Sequence, residues 1–329
     1  VPPESLPYEE QDLPDVSRFK NWLPTQIDRR VRVFAWLSLI AQIVLIGTGG
    51  LVRLTASGLG CPTWPTCTDD SLVNTPEMGI HGVIEFGNRL MTFVLVFIAI
   101  AMFLLVIRMR AERRDLFTLS LLIGLGIPAQ GVIGGLSVLT GLNPYVVGLH
   151  FVVSIALVCL ATVLVQRVYA TPGPRALAVP RWYAVIAHVT SAVVAVTILV
   201  GIMTTGSGPH AGDADAPRNG LDPVILQHVH SWPAYATLAL TVTMLVAVLI
   251  AKIPGGGPVL LLLAVEAVQI VVGLIQARTG LPPLLVGLHM VLAACLAAAM
   301  VNVVLGLKRP VIAITTRPDE LATAEPARS

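Results

Sequence analysis

Two histidines close a stretch that occurs twice in the chain, TGLNPYVVGLH (Thr140 to His150) and TGLPPLLVGLH (Thr279 to His289). The same spacing pairs Gln130 with Gln269 and Gly134 with Gly273. Two further stretches begin apolar runs. HGVIEFGNRL, from His81, holds His81, Glu85, Asn88 and Arg89; VILQHVHSW, from Val224, holds Gln227, His228 and His230. Aligned, they set Glu85 against Gln227 and Asn88 against His230. At a rise of about 1.5 Å per residue, His150, His230 and His289 each lie on the order of 10 Å inside their runs. Two imidazoles at one depth on two helices, His230 and His289, are how a helical bundle supplies both axial ligands to a haem iron. The bland alternative for any single histidine is a hydrogen-bonded packing group. Polar groups at membrane depth are costly and usually mark function, and a matched pair on corresponding helices favours ligation. His188, without a counterpart, reads as structural, and His210 as a solvated loop residue.

The first half is different. His150 is opposed by Asn88 rather than by a histidine, and His81 lies seven residues earlier on a similar face, about 10 Å nearer the surface. Glu85 falls between them, and a carboxyl in an apolar bundle can serve in proton transfer; its alternative is an ion pair with Arg89 or Arg53. The asymmetry suggests that one half holds a fixed, six-coordinate haem while the other leaves room for chemistry.

The elements that must position these groups are membrane helices. Of 329 residues, 55% are hydrophobic and 12% charged, about half the charge of a soluble protein, with mean hydropathy +0.81. Eight spans are expected, at 33–54, 79–107, 116–138, 145–167, 182–205, 223–251, 258–277 and 284–306. Arg108, Arg110, Arg113, Arg114, Arg175, Arg181 and Lys252 fall between spans two and three, four and five, and six and seven, and Lys308, Arg309 and Arg317 follow span eight. The opposite connections carry Asp69, Asp70, Glu77, Asp213, Asp215 and Asp222. The positive-inside rule then places both termini in the cytoplasm. The fold expected is an all-α polytopic membrane protein, two tandem four-helix bundles related by a pseudo-two-fold axis along the membrane normal. It divides into an N-terminal tail (1–32), a first half (33–167) with an outer loop at 55–78, a linker (168–181), a second half (182–306) and a C-terminal tail (307–329). Acids in the first tail (Glu4, Glu9, Glu10, Asp12, Asp15) argue against a mitochondrial transit peptide, which is acid-poor. A net charge of +2 points to no nucleic-acid partner. Cys159 and Cys295 lie in apolar runs as packing residues. Cys61 and Cys67 share a polar loop, and in an oxidising compartment a disulfide is the natural reading.

With these residues in view, GGLVRLTASGLGCPTWPTC (Gly49 to Cys67) resembles the outer loop of the haem A synthase family, IEFGNR (Ile84 to Arg89) resembles its second-span motif, and the two GLH stretches with His230 resemble its remaining ligand positions. The resemblance covers about 33 to 306. It implies a bacterial cell-membrane enzyme that oxidises the C8 methyl of haem O to a formyl group, giving haem A for terminal oxidases, in proximity to haem O synthase. It further implies haem b between His230 and His289, the substrate haem near His150, Asn88 and Glu85, and a Cys61–Cys67 pair. Arg53 and Arg89 are candidates to pair with haem propionates, since arginine binds carboxylates bidentately. Two departures stand out. Asn88 occupies a position that is histidine in the family, which leaves His150 alone or lets His81 substitute, and the second outer loop, Gly206 to Asp222, has no cysteines. Competing readings are a non-enzymatic di-haem electron carrier and a transporter with proton-relaying histidines.

Overall fold

The computed structural model describes residues 22–311; the acidic stretch before residue 22 and the tail beyond residue 311 lie outside the described residues. Eight helices among them are long and apolar enough to cross a membrane: α1 (Arg29–Leu54), α2 (Gly79–Val106), α3 (Arg114–Leu139), α4 (Pro144–Tyr169), α5 (Arg181–Ser207), α6 (Pro223–Ala251), α7 (Gly256–Arg278) and α8 (Pro283–Gly306). The protein is an all-α, multi-pass membrane protein, with each helix within a few residues of the span expected from hydropathy.

Short polar residues set where the helices begin. The Asp28 carboxylate accepts from the Val31 amide at the head of α1 (3.1 Å). Asn143 accepts from Tyr145 (3.0 Å) at α4, and Asp222 from Val224 and Ile225 (2.8 and 3.0 Å) at α6. Each satisfies amides that the first turn leaves without an internal partner. Pro144, Pro223 and Pro283 occupy first-turn positions, where a missing N–H is harmless. Between the ends, the helical ladder satisfies the backbone without water, as lipid requires. The surface facing the lipid is apolar, with Phe93, Phe97, Leu249 and Ile250 among its exposed side chains.

Two cores form, and α8 belongs to both. One joins Val31 and Leu39 of α1, Met102 and Val106 of α2, Leu116 and Ile123 of α3 and Val158 and Leu164 of α4 to Ala294 and Ala297 of α8. The other joins Tyr183 and Val194 of α5, Met244 of α6 and Leu262 of α7 to Leu296, Met300 and Val303 of the same helix. Where α1 meets α8 the contact is made by glycines: a Cβ on Gly47 would stand 3.2 Å from Val291, and one on Gly287 would stand 3.0 Å from Leu54. Small residues permit close helix approach in lipid, where dispersion contacts rather than water exclusion drive association. At one end of the bundle lies the long loop after α1; at the other, Arg175–Leu177 pairs antiparallel with Lys308–Pro310. The first residues after α8, expected as the start of a tail, are thus a strand bonded to the linker between the halves.

Replacing Gly47 with Leu should wedge α1 from α8 and destabilise the protein by about 1–3 kcal/mol. Gly124→Ala, where a Cβ meets nothing within 4 Å, should be neutral or stabilising by up to about 1 kcal/mol. Unfolding in detergent followed by tryptophan fluorescence compares the two.

Candidate functional site

His230 on α6 and His289 on α8 face one another, ring centroids 6.2 Å apart and planes at 75°. Each ring lies over a glycine of the next helix. A Cβ on Gly201 of α5 would stand 2.8 Å from His230 Cε1, and one on Gly273 of α7 would stand 3.1 Å from His289 Cε1. Two helices therefore supply the rings and two supply the gaps that receive them. Gln269 Nε2 donates to the His289 carbonyl (3.1 Å), fixing α7 against α8 at that level.

Most of this repeats in the first half. His150 on α4 lies over Gly134 of α3, where a Cβ would stand 3.3 Å from its Cε1, and Gln130 Nε2 donates to the His150 carbonyl at 3.1 Å. The Nδ1 atoms of His150, His230 and His289 and the Oε1 atoms of both glutamines are buried without hydrogen bonds. Direct ring packing also occurs with centroids about 4.5–7 Å apart. With metal–nitrogen bonds of about 2 Å and ring centres about 1 Å beyond the nitrogens, two imidazoles on one metal have centroids about 6 Å apart. The His230–His289 pair has that separation, so these residues fit an iron porphyrin ligated from both sides.

The first half differs at the position that the sequence repeat matches to His230: it is Asn88, whose amide oxygen accepts from Thr48 of α1 at 2.8 Å. His81 is exposed near the loop, its Nδ1 hydrogen-bonded to Ser57 Oγ at 2.9 Å, seven residues from Asn88.

The loop after α1 is held down by the other polar residues of α2. Cys61 and Cys67 form a disulfide. Glu85, only 5% exposed, accepts from the Cys61 amide through Oε2 (2.6 Å) and pairs with Arg89 through Oε1 (2.6 Å). Arg89 also donates to the carbonyls of Cys61, Thr63 and Thr66, each at 3.1 Å. The loop thereby presses the Trp64 indole onto Gly135 of α3, one residue from the glycine under His150. Of the two partners weighed for Glu85, the ion pair is with Arg89. Arg53 turns instead to the second half and donates to the carbonyls of His210 (2.6 Å) and Thr205 (3.0 Å). His210, expected in solvent, is half-buried with Nε2 on the Leu281 carbonyl at 2.8 Å; it links two loops. His188, expected as structural, lies on an exposed face of α5.

Reading the sequence for histidines passed over three residues. Thr48 and Trp64 offered no spacing cue. Glu266 did, as the single acid within α7, and it proves 97% buried, with Oε1 accepting from Thr241 Oγ1 at 2.8 Å.

Comparison with known proteins gives a family and a name. Residues 32–301 match the model of the COX15-CtaA family, described as cytochrome oxidase assembly protein. The haem A synthase of Halalkalibacterium halodurans is 30% identical over 160 residues, 47% of this chain and 52% of that protein. That of Listeria welshimeri is 30% identical over 135 residues, 41% and 43% of the two chains, and that of Lysinibacillus sphaericus 32% over 142 residues, 42% and 44%. The chain spans about half the length, or somewhat less, of these curated relatives.

Glu85→Ala should strip Arg89 and the Cys61 amide of their buried partner and cost about 3–5 kcal/mol. Hydrogen exchange at the amides of residues 61–67 should accelerate. Because the two side chains act together, the double variant with Arg89→Ala should lose less than the sum of the single losses.

Proposed function

The chain belongs to the COX15-CtaA family of cytochrome oxidase assembly proteins, and from that premise we propose that it is a haem A synthase, a membrane oxidoreductase that converts the C8 methyl of haem O to a formyl group. The observation that carries this reading is the asymmetry of the two halves. One places two histidines at the separation of axial ligands; the other places a single histidine, His150, beneath a clasped loop. A permanently held cofactor suits the first and an exchanging substrate the second.

On this reading His230 and His289 hold haem b, whose iron supplies one-electron transfer when bound. Gly201 and Gly273 leave room for the rings, and Gln269 holds α8 at the His289 carbonyl. In the first half His150 binds the iron of haem O. Asn88, matched by the repeat to His230, is held by Thr48, and His81, tied to Ser57, stays with the loop; neither completes a histidine pair. Taking the methyl through an alcohol to a hydrated aldehyde, which loses water, removes four electrons in two steps, so an external electron acceptor and an oxygen source, water or dioxygen, are required. Glu85, expected from its position to move protons, has both oxygens engaged. It acts as a positioning residue, keeping the Trp64 loop over the site and water out. Arg53 and Arg89, candidates for the haem propionates, have carbonyl and carboxylate partners inside the protein and act on the frame of the site. The missing second histidine at Asn88 speaks against a non-enzymatic di-haem carrier, which needs two closed ligand sets.

The setting follows from charge and redox chemistry. The disulfide loop faces the outside of a bacterial cell membrane, an oxidising space. The connections rich in arginine and the paired strands face the cytoplasm. Haem O synthase and a terminal oxidase are the supplier and the consumer that this chemistry requires.

Expressed in a host that makes haem O but not haem A, the protein should yield haem A among the extracted haems on chromatography. His150→Ala should abolish haem A while the purified protein keeps a low-spin b-type spectrum; His289→Ala should lose that spectrum. Unaltered haem O with the intact protein would remove the assignment.

A further inference from the structure

Glu266 is a carboxyl near the middle of α7, ten residues from one end and twelve from the other. It is 97% buried, and Thr241 is its one hydrogen-bonded partner. Its second oxygen, Oε2, is buried and bonded to nothing. No ion pair involves it among the described residues. On the helices packed against α7, the titratable side chains are His228, His230 and Tyr235 of α6 and His289 and Cys295 of α8; none is hydrogen-bonded to it. An ionised carboxylate so placed is expensive in lipid without a cation, so the group is at home as an acid holding a proton.

The molecule contains its own control. The repeat that sets Asn88 against His230 sets Leu95 against Thr237 and Ala99 against Thr241. The repeat that sets Gln130 against Gln269 sets Ile127 against Glu266. In the first half Leu95, Ala99 and Ile127 form one buried apolar cluster. Packing at this level therefore needs no polar group. The second half alone replaces that cluster with two threonines and a carboxyl, and these lead to its histidine pair. Thr237 Oγ1 lies 3.4 Å from Thr197 Oγ1, and Thr197 is one helical turn before Gly201, the glycine against the His230 ring. Glu266 is one helical turn from Gln269, which holds the His289 carbonyl.

We propose that Glu266 is a proton-binding site whose occupancy is coupled to the oxidation state of the redox group held by His230 and His289. The proposal rests on the reading of that pair as haem b ligands. Glu266 takes up a proton, forming its O–H bond, when a one-electron donor reduces the iron. It releases that proton to water when a one-electron acceptor oxidises the iron. An electron added inside lipid leaves a charge that bulk solvent cannot screen, and a proton on the order of 10 Å away offsets it. Coupling is reciprocal: the proton is held more tightly in the reduced state, so raising the pH favours the oxidised state.

The test is a redox titration of the purified, haem-loaded protein between pH 5 and 9, following the low-spin b-type band. In the native protein the midpoint should fall as pH rises, by a total of about tenfold in the reduction equilibrium, about 59 mV. Glu266→Gln should hold the low-pH value throughout. The double variant Glu266→Ile with Thr241→Ala, which copies the packing of the first half, should fold, keep the band and also be flat with pH. Redox-difference infrared spectra should contain a protonated-carboxyl band that Glu266→Gln lacks. A flat native midpoint, or a Glu266→Gln variant that follows the native slope, overturns the proposal while leaving the haem site intact. A protein with no low-spin band overturns the haem reading and this proposal with it.

Discussion

Inside a bilayer a polar side chain that finds no partner in the protein finds none at all. That constraint orders this molecule. Arg89 reaches three loop carbonyls and one carboxylate, and Arg53 reaches two carbonyls of the opposite half. The glutamines spend their amide donors on the carbonyls of the histidines beside them. Against so thorough a pairing, the unbonded atoms are informative. Three imidazole nitrogens, three glutamine oxygens, one serine hydroxyl and one carboxylate oxygen stay without partners inside the spans. Six of these eight atoms belong to His150, His230, His289, Gln130, Gln269 and Glu266, the groups around which the candidate site and the buried carboxyl are built.

The two halves share a set of side chains and differ at a few. The glycine beneath the ring, the glutamine on the carbonyl and the GLH turn occur in both. What differs is small. A histidine becomes an asparagine tied to a threonine, a polar triad becomes an aliphatic one, and the first outer loop gains a disulfide and an indole that the second lacks. Chemistry varies on the side chains while the ladder stays constant.

How much of this could be read in advance depended on the range of the interaction. The spans were legible because twenty apolar residues in a row have few alternatives, and the repeat because GLH at 148–150 and 287–289 keeps its spacing. The histidine pair followed from depth alone. The destinations of Arg53 and Arg89 did not, since an arginine at a helix end can meet a ligand carboxylate or a loop carbonyl, and only the folded loop decides. His210 was misjudged for the same reason: its partner, the Leu281 carbonyl, is seventy-one residues away. The strand at Lys308–Pro310 has three residues and no period to detect. Glu266 was in plain sight, but its meaning came from the aliphatic residue at the repeat-related place.

The link from Arg53 to the loop of the second half, with His210 passing it on to Leu281, closes one end of the seam between the bundles, and α8 fills its length. A tandem copy joined only by a linker would be free to rock, as transporters do. This one is riveted. A seam held at its end and filled along its length sets the spacing between the halves once, by folding.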